Sequence, residues 1–148
     1  MSDNYRNLEI VRDLYARFSA GEISSILELL SPDVEWCEPE NPFNPAAGTR
    51  RGHDGFLDWA NIGNNAEEIL VLEPRQMLTN DESVAVVGYI KCLARQTGKT
   101  YESDFVHLIT IRNKLVVKFQ EFFDTYAAGE AFCQQNAETS TTVHTEEE

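Results

Sequence analysis

The sequence predicts an α+β domain, with helices packed on an antiparallel sheet, and three observations support this. Apolar residues recur at three- and four-residue intervals up to Leu30, the signature of helices with one buried face. From Ile69 onward, four segments rich in Val, Ile, Leu and Phe follow one another, separated by turn sequences. A chain of 148 residues suits one hydrophobic core, and helices segregated from an antiparallel sheet define the class.

From Tyr5 to Ala20, the residues Leu8, Val11, Leu14, Tyr15 and Phe18 form one stripe, and Gly21 ends the helix. A second helix from Glu22 to Leu30 carries Ile23, Ile26 and Leu27 on one side and stops before Pro32. Asp33 to Pro39 reads as a strand with Val34, Trp36 and Glu38 on one face. The segment from Asn41 to Gly52, rich in Pro, Asn and Gly, reads as a long loop, and a third helix is expected over Asp54–Ile62. The strands Ile69–Leu78, Ser83–Arg95, Tyr101–Ile111 and Leu115–Phe123 then form a meander. Its turns are Asn80-Asp81, Thr97-Gly98-Lys99 and Asn113-Lys114. A closing helix is expected from Tyr126 to Gln134. The domain is expected to occupy residues 1–136, leaving 137–148 as a disordered acidic tail.

The formal charge of −13 sets up a field that repels phosphate backbones and anionic lipid, so neither nucleic acid nor membrane is expected as a partner. No apolar run reaches the roughly 18 residues of a membrane span. Cys37, Cys92 and Cys133 are odd in number and widely spaced, as expected of reduced thiols in a cytoplasmic protein. They show no metal-ligand spacing with His53, His107 and His144.

The pieces "RDLYARFSAGEISSILELLSPDVEW", "TGKTYESDFVHLITIRNKLVV" and "EFFDTYAAGEAF", in that order, resemble the SnoaL-like branch of the nuclear transport factor 2-like superfamily. Ketosteroid isomerase, polyketide cyclase and limonene epoxide hydrolase are relatives. The resemblance covers roughly residues 5 to 133. It implies a cone-shaped curved sheet wrapped on N-terminal helices, an apolar pocket inside, and a homodimer formed through the sheet, with Val86, Lys91, Val116 and Lys118 facing outward. Where the family usually has Gly-Lys in the last hairpin, this chain has Asn113-Lys114, and Asn tolerates the left-handed conformation.

Within the resemblance, Glu38-Pro39 occupies the place of the isomerase general base. A carboxylate beside Trp36 under apolar helices would have a raised pKa, whereas a solvated strand end would leave Glu38 without a role. His107 shares a strand face with Phe105 and Ile109. It is either an acid-base partner in the pocket or a core histidine with its hydrogen bonds satisfied. Asp124 matches the aspartate that the cyclases and epoxide hydrolases keep after the last strand, and it also suits the N-cap of the closing helix. Leu14 stands where the isomerase's oxyanion tyrosine would fall, with Tyr15 turned about 100° away. Gly88 and Ile90 replace the residues that activate water in the epoxide hydrolases. Steroid isomerisation and epoxide hydrolysis by those mechanisms are therefore not expected.

The expected catalytic set is Asp124, His107 and Glu38. The expected apolar wall is Trp36, Tyr15, Phe18, Trp59, Phe105 and Phe122, and no metal or cofactor is implied. Arg50 and Arg51 could hold an anionic group at the mouth. The expected activity is acid-base isomerisation, cyclisation or elimination on a small apolar carbonyl compound of polyketide or terpenoid type. The alternatives are a non-catalytic module for a hydrophobic ligand and a dimerisation domain.

Overall fold

Residues 2–134 are described by the computed structural model. The apolar stripe of the first helix decides how the rest packs. Helix α1 (Ser2–Ser19) turns Val11 and Leu14 into the core, where they meet the buried Val84 and Val86 of the sheet. Gly21 then takes a left-handed conformation at φ 77°, which lets the chain reverse. The expected second helix is shorter than its pattern implied: α2 (Ile23–Ile26) is one turn, followed by a 3-10 turn at Leu27–Leu29. The chain is already extended at Leu30, where strand β1 (Leu30–Glu38) begins. Pro32 lies where the ladder of β1 is interrupted, so its missing N–H costs no sheet hydrogen bond.

The segment expected to be a loop up to Gly52 contains a short strand, β2 (Gly48–Arg51), paired antiparallel with β1. Helix α3 (Gly52–Ala66) extends beyond its expected limits at both ends. Strands β3 (Glu67–Thr79), β4 (Ser83–Ala94), β5 (Thr100–Arg112) and β6 (Leu115–Phe123) form the predicted meander, and α4 (Thr125–Phe132) follows. The order across the sheet is β2-β1-β6-β5-β4-β3. One pair departs from the antiparallel expectation: β1 and β6 run parallel, because the chain passes through α3 and the meander before returning beside β1. The sheet is curled and unclosed, with the helices on its concave side. The expected tail at 137–148 lies outside the described residues.

Two local features set which side chains face the concavity. In the β5–β6 hairpin, Asn113 and Lys114 adopt positive φ of 51° and 68°, the geometry of a tight two-residue turn. Beyond the Ile111–Val116 pair the register slips by one, leaving Val117 as an extra residue, so Thr110 pairs with Lys118 and His107 with Glu121. This bulge turns Phe119, Glu121 and Phe123 inward. Phe122 therefore points outward and is 48% exposed, contrary to its expected place in the pocket wall. The expected outward set is corrected in part, since Val86 and Val116 are fully buried. The apolar side chains on the outer face include Leu108 and Phe122.

The second feature is Gly88 on β4, opposite Phe105. A Cβ there would lie 2.5 Å from the Glu73 carbonyl oxygen and 2.5 Å from Phe105 Cζ. The absence of a side chain lets the Phe105 ring lie flat against its strand neighbour His107, with centroids 4.1 Å apart. Gly88→Ala is expected to destabilise the fold by about 2 kcal/mol in urea unfolding. It should also shift the imidazole NMR signals of His107, and an unchanged midpoint would show that the close packing is not needed.

Candidate active site

The sheet register builds the site. β1 and β6 are parallel with Cys37 opposite Gln120, which places Glu38 beside Glu121, and Glu121 pairs across the hairpin with His107. Three neighbouring strands, spaced about 4.8 Å apart, thus present Glu38, Glu121 and His107 as one row on the concave face. The next row toward the helices is aromatic: Trp36 stacks on Phe119 at 4.0 Å, with Trp59 of α3 5.2 Å from Trp36. From α1, Tyr15 reaches across to the imidazole.

The row is tied together by hydrogen bonds. The Tyr15 hydroxyl meets Nδ1 of His107, and Nε2 of the same ring lies 2.8 Å from Glu121 Oε2. With Nδ1 accepting from the phenol, Nε2 carries the ring proton and donates it to Glu121. The carboxyl groups of Glu121 and Glu38 are within hydrogen-bonding reach of each other. Glu38 also accepts from Trp59 Nε1 at 2.9 Å and from Asn44 Nδ2 at 3.3 Å. Asn44 belongs to the loop between β1 and β2, which it braces by accepting from the Ala46 amide.

Electrostatics follow from burial. Desolvation pushes the Glu38 carboxyl well above its ordinary range, and the facing Glu121 adds to the shift. Glu121, 9% exposed, is pushed up to about 7 by burial. His107 is driven down to about 3 by the same cause, so its ring is neutral. The Tyr15 phenol is raised by burial and by Glu121, and stays a donor. Two carboxyls in contact away from water cannot both ionise readily, so the Glu38–Glu121 pair keeps one proton near neutral pH.

These groups line a cavity of about 80 Å³ with apolar walls that include Leu14, Phe18, Phe56 and Ile90. Trp36 is 3% exposed and lines the cavity, and its buried indole N–H has no partner. A third carboxyl, Glu67 at the start of β3, also lines the cavity. It accepts from the Tyr101 hydroxyl at 2.6 Å, and burial raises it to about 7. Cys92 lies beside it, its thiol pushed up by burial. Among the described residues, no group of three or more His, Cys, Asp and Glu side chains is placed to hold a metal ion, and no helix is long and apolar enough to cross a membrane.

Glu38, His107, Trp36, Tyr15, Phe18 and Trp59 line this cavity. Phe105 does not, but supports His107 from beneath. Asp124 stands apart: it is exposed and caps α4, accepting from the Ala127 amide at 3.0 Å, while its own amide donates to Ser103. The helix that begins immediately after Asp124 is capped by its carboxylate, which is exposed and does not line the cavity. Arg50 donates to the carbonyls of Ala46 and Ala47, and Arg51 pairs with Glu35 on the surface. Alternation alone does not reveal Glu121, because the strict phase that puts Phe122 inside leaves Glu121 outside. Tyr15, expected only as wall, contributes its hydroxyl.

Folding stability should carry the imprint of these groups. The folded chain keeps protons on Glu67 and Glu121 up to about 7, whereas the unfolded chain releases them near 4.5, and Glu38 shifts in the same direction. Each therefore makes stability fall as pH rises through that interval. His107 acts oppositely, since the unfolded chain binds its proton below 6.5 and the folded chain does not until about 3. With three carboxyls against one imidazole, the unfolding free energy from urea titration is expected to fall between about pH 5 and about pH 8, by a few kcal/mol at most, and Glu121→Gln should flatten the profile. An unfolding free energy that rises over this range would contradict the assignment.

Comparison with known proteins agrees with the architecture. Residues 11–119 match the family profile described as SnoaL-like domain. An NTF2-like protein from Burkholderia xenovorans LB400 is 32% identical with a TM-score of 0.79, covering 88% of this chain and 98% of its own. TerC, co-crystallised with polyporic acid, is 30% identical with a TM-score of 0.74, covering 86% of this chain and 98% of its own. A Mycobacterium tuberculosis (strain ATCC 25618 / H37Rv) protein is 26% identical over 129 residues, covering 85% of this chain and 95% of its own. With the helices on the concave side of the curled sheet and the family profile spanning most of the domain, the chain belongs to the SnoaL-like domain family of the nuclear transport factor 2-like superfamily.

Proposed function

We propose that this protein catalyses proton transfer on a small, largely apolar carbonyl compound, without a cofactor, as an isomerase, cyclase or lyase. The observation that carries the reading is the Glu38–Glu121 pair, two carboxyls side by side on adjacent strands of the cavity wall, Glu121 buried and Glu38 partly so. One proton between two carboxyls supplies a base and an acid at the same place near neutral pH.

The ionised member of the pair accepts a proton from the carbon next to the ligand's carbonyl. The electrons of that C–H bond form the enolate double bond, and negative charge moves to the carbonyl oxygen. The proton left on the pair is the donor available to that oxygen. Return of the proton to a conjugated carbon gives an isomer; attack by the enolate carbon closes a ring; loss of a neighbouring leaving group gives the elimination product. Both ring nitrogens of His107 are engaged by Tyr15 and Glu121, so the imidazole holds Glu121 in place instead of protonating the enolate directly. The similar protein TerC was co-crystallised with polyporic acid, which supports a small organic molecule as ligand.

The test is exchange of ligand α-protons with deuterated solvent, followed by NMR over a panel of aromatic and alicyclic ketones. The parent protein is expected to accelerate exchange, and Glu38→Gln and Glu121→Gln to slow it by about 100-fold or more. Asp124→Asn should leave the rate unchanged. Parental exchange in Glu38→Gln would remove the pair from the mechanism. Bound ligand with no exchange above the buffer rate would leave a binding module.

A further inference from the structure

Size decides how a ligand must lie. The inner cavity of about 80 Å³ is smaller than the roughly 150 Å³ apolar cavity that holds benzene, so a ring-sized ligand touching the carboxyl pair must extend out of it. The exit is defined by Phe18, Trp59, Glu67, Ile69 and Leu72, which line both the cavity and an outer groove of about 850 Å³ beside α1, α3 and β3. Four of these five are apolar or aromatic, and the one polar group among them, the Trp59 indole N–H, is already given to Glu38. Glu67 is the remaining polar group at the throat. A carboxyl has more acceptor sites than its single bond from Tyr101 uses.

Charge supplies the second constraint. Glu38, Glu67 and Glu121 line the cavity, and among the described residues no Lys or Arg does. Arg95, in the outer groove, donates to the Asn64 carbonyl at 2.8 Å and faces Glu68 at 3.9 Å. An anionic ligand would enter against carboxyls with no free cation to meet it.

We infer that the pocket is built for an uncharged aromatic or alicyclic hydroxyketone, with its carbonyl at the carboxyl pair, and its hydroxyl donating to Glu67 at the throat. Glu67 is then the residue that selects this class over the matching carboxylates. The inference deepens the proposed function and rests on it for the placement of the carbonyl.

Tryptophan fluorescence titrations with acetophenone, 4-hydroxyacetophenone and 4-acetylbenzoate, in buffer at about pH 7, test it. The parent protein is expected to bind the hydroxyketone about tenfold more tightly than acetophenone, and not to saturate with the benzoate. Glu67→Leu should erase the tenfold preference. Glu67→Gln, which keeps the shape and removes the charge, should admit the benzoate. The inference is overturned if the parent binds the benzoate as well as the hydroxyketone, if the preference survives Glu67→Leu, or if none of the three binds. Measuring α-proton exchange on the same ketones separates the two ideas. Selective binding without exchange defeats proton transfer and leaves the role of Glu67 standing, whereas exchange without selectivity does the reverse.

Discussion

The contact between Glu38 and Glu121 is the constraint on which the site depends. Two carboxyls brought together away from water repel if both ionise, and each costs several kcal/mol if left charged without partners. The fold resolves this with one shared proton and a ring of donors: the imidazole N–H of His107 toward Glu121, and the indole of Trp59 and amide of Asn44 toward Glu38. Those donors come from a strand, a helix and a loop. The same contact therefore fixes α3, the β1–β2 loop and the sheet relative to one another.

Such a polar row is tolerated in an apolar interior because the sheet geometry supports it on every side. Phe105 and Phe119 flank the His107 ring on its own face, and the bare backbone of Gly88 gives Phe105 room. The parallel pairing of β1 with β6 brings Glu38 beside Glu121, and the bulge at Val117 turns Glu121 inward. Neither feature would place the pair alone. Their combination converts two unremarkable strand residues into a coupled acid and base.

Much of this architecture could be read from periodicity, which is local. The stripe of α1, the four long strands and their turns all emerge from residue spacing, and the inward phase of Trp36 and Glu38 follows from alternation in a short strand. His107 was assigned its face by the same logic. What periodicity cannot carry is register. The slip after Ile111 leaves no mark in "NKLVVKFQEFFD", yet it exchanges Phe122 for Glu121 on the inner face. Asp124 illustrates a different limit: the residue that ends a strand also begins a helix, and the hydrogen bond to Ala127 decides which way its carboxylate turns. Tyr15 lies one position from the expected tyrosine, and the packing of α1 against β5, a long-range contact, brings its hydroxyl to the imidazole.

The central claim is that His107 stays neutral because it is buried between a phenol donor and a carboxyl pair that holds its own proton. Nitrogen NMR of the labelled imidazole tests this most directly. The account predicts one neutral tautomer, protonated at Nε2, across the range from about pH 5 to about pH 8. An imidazole that titrates near the ordinary histidine value of about 6.5 would show a solvated ring, and the shared-proton row would not exist.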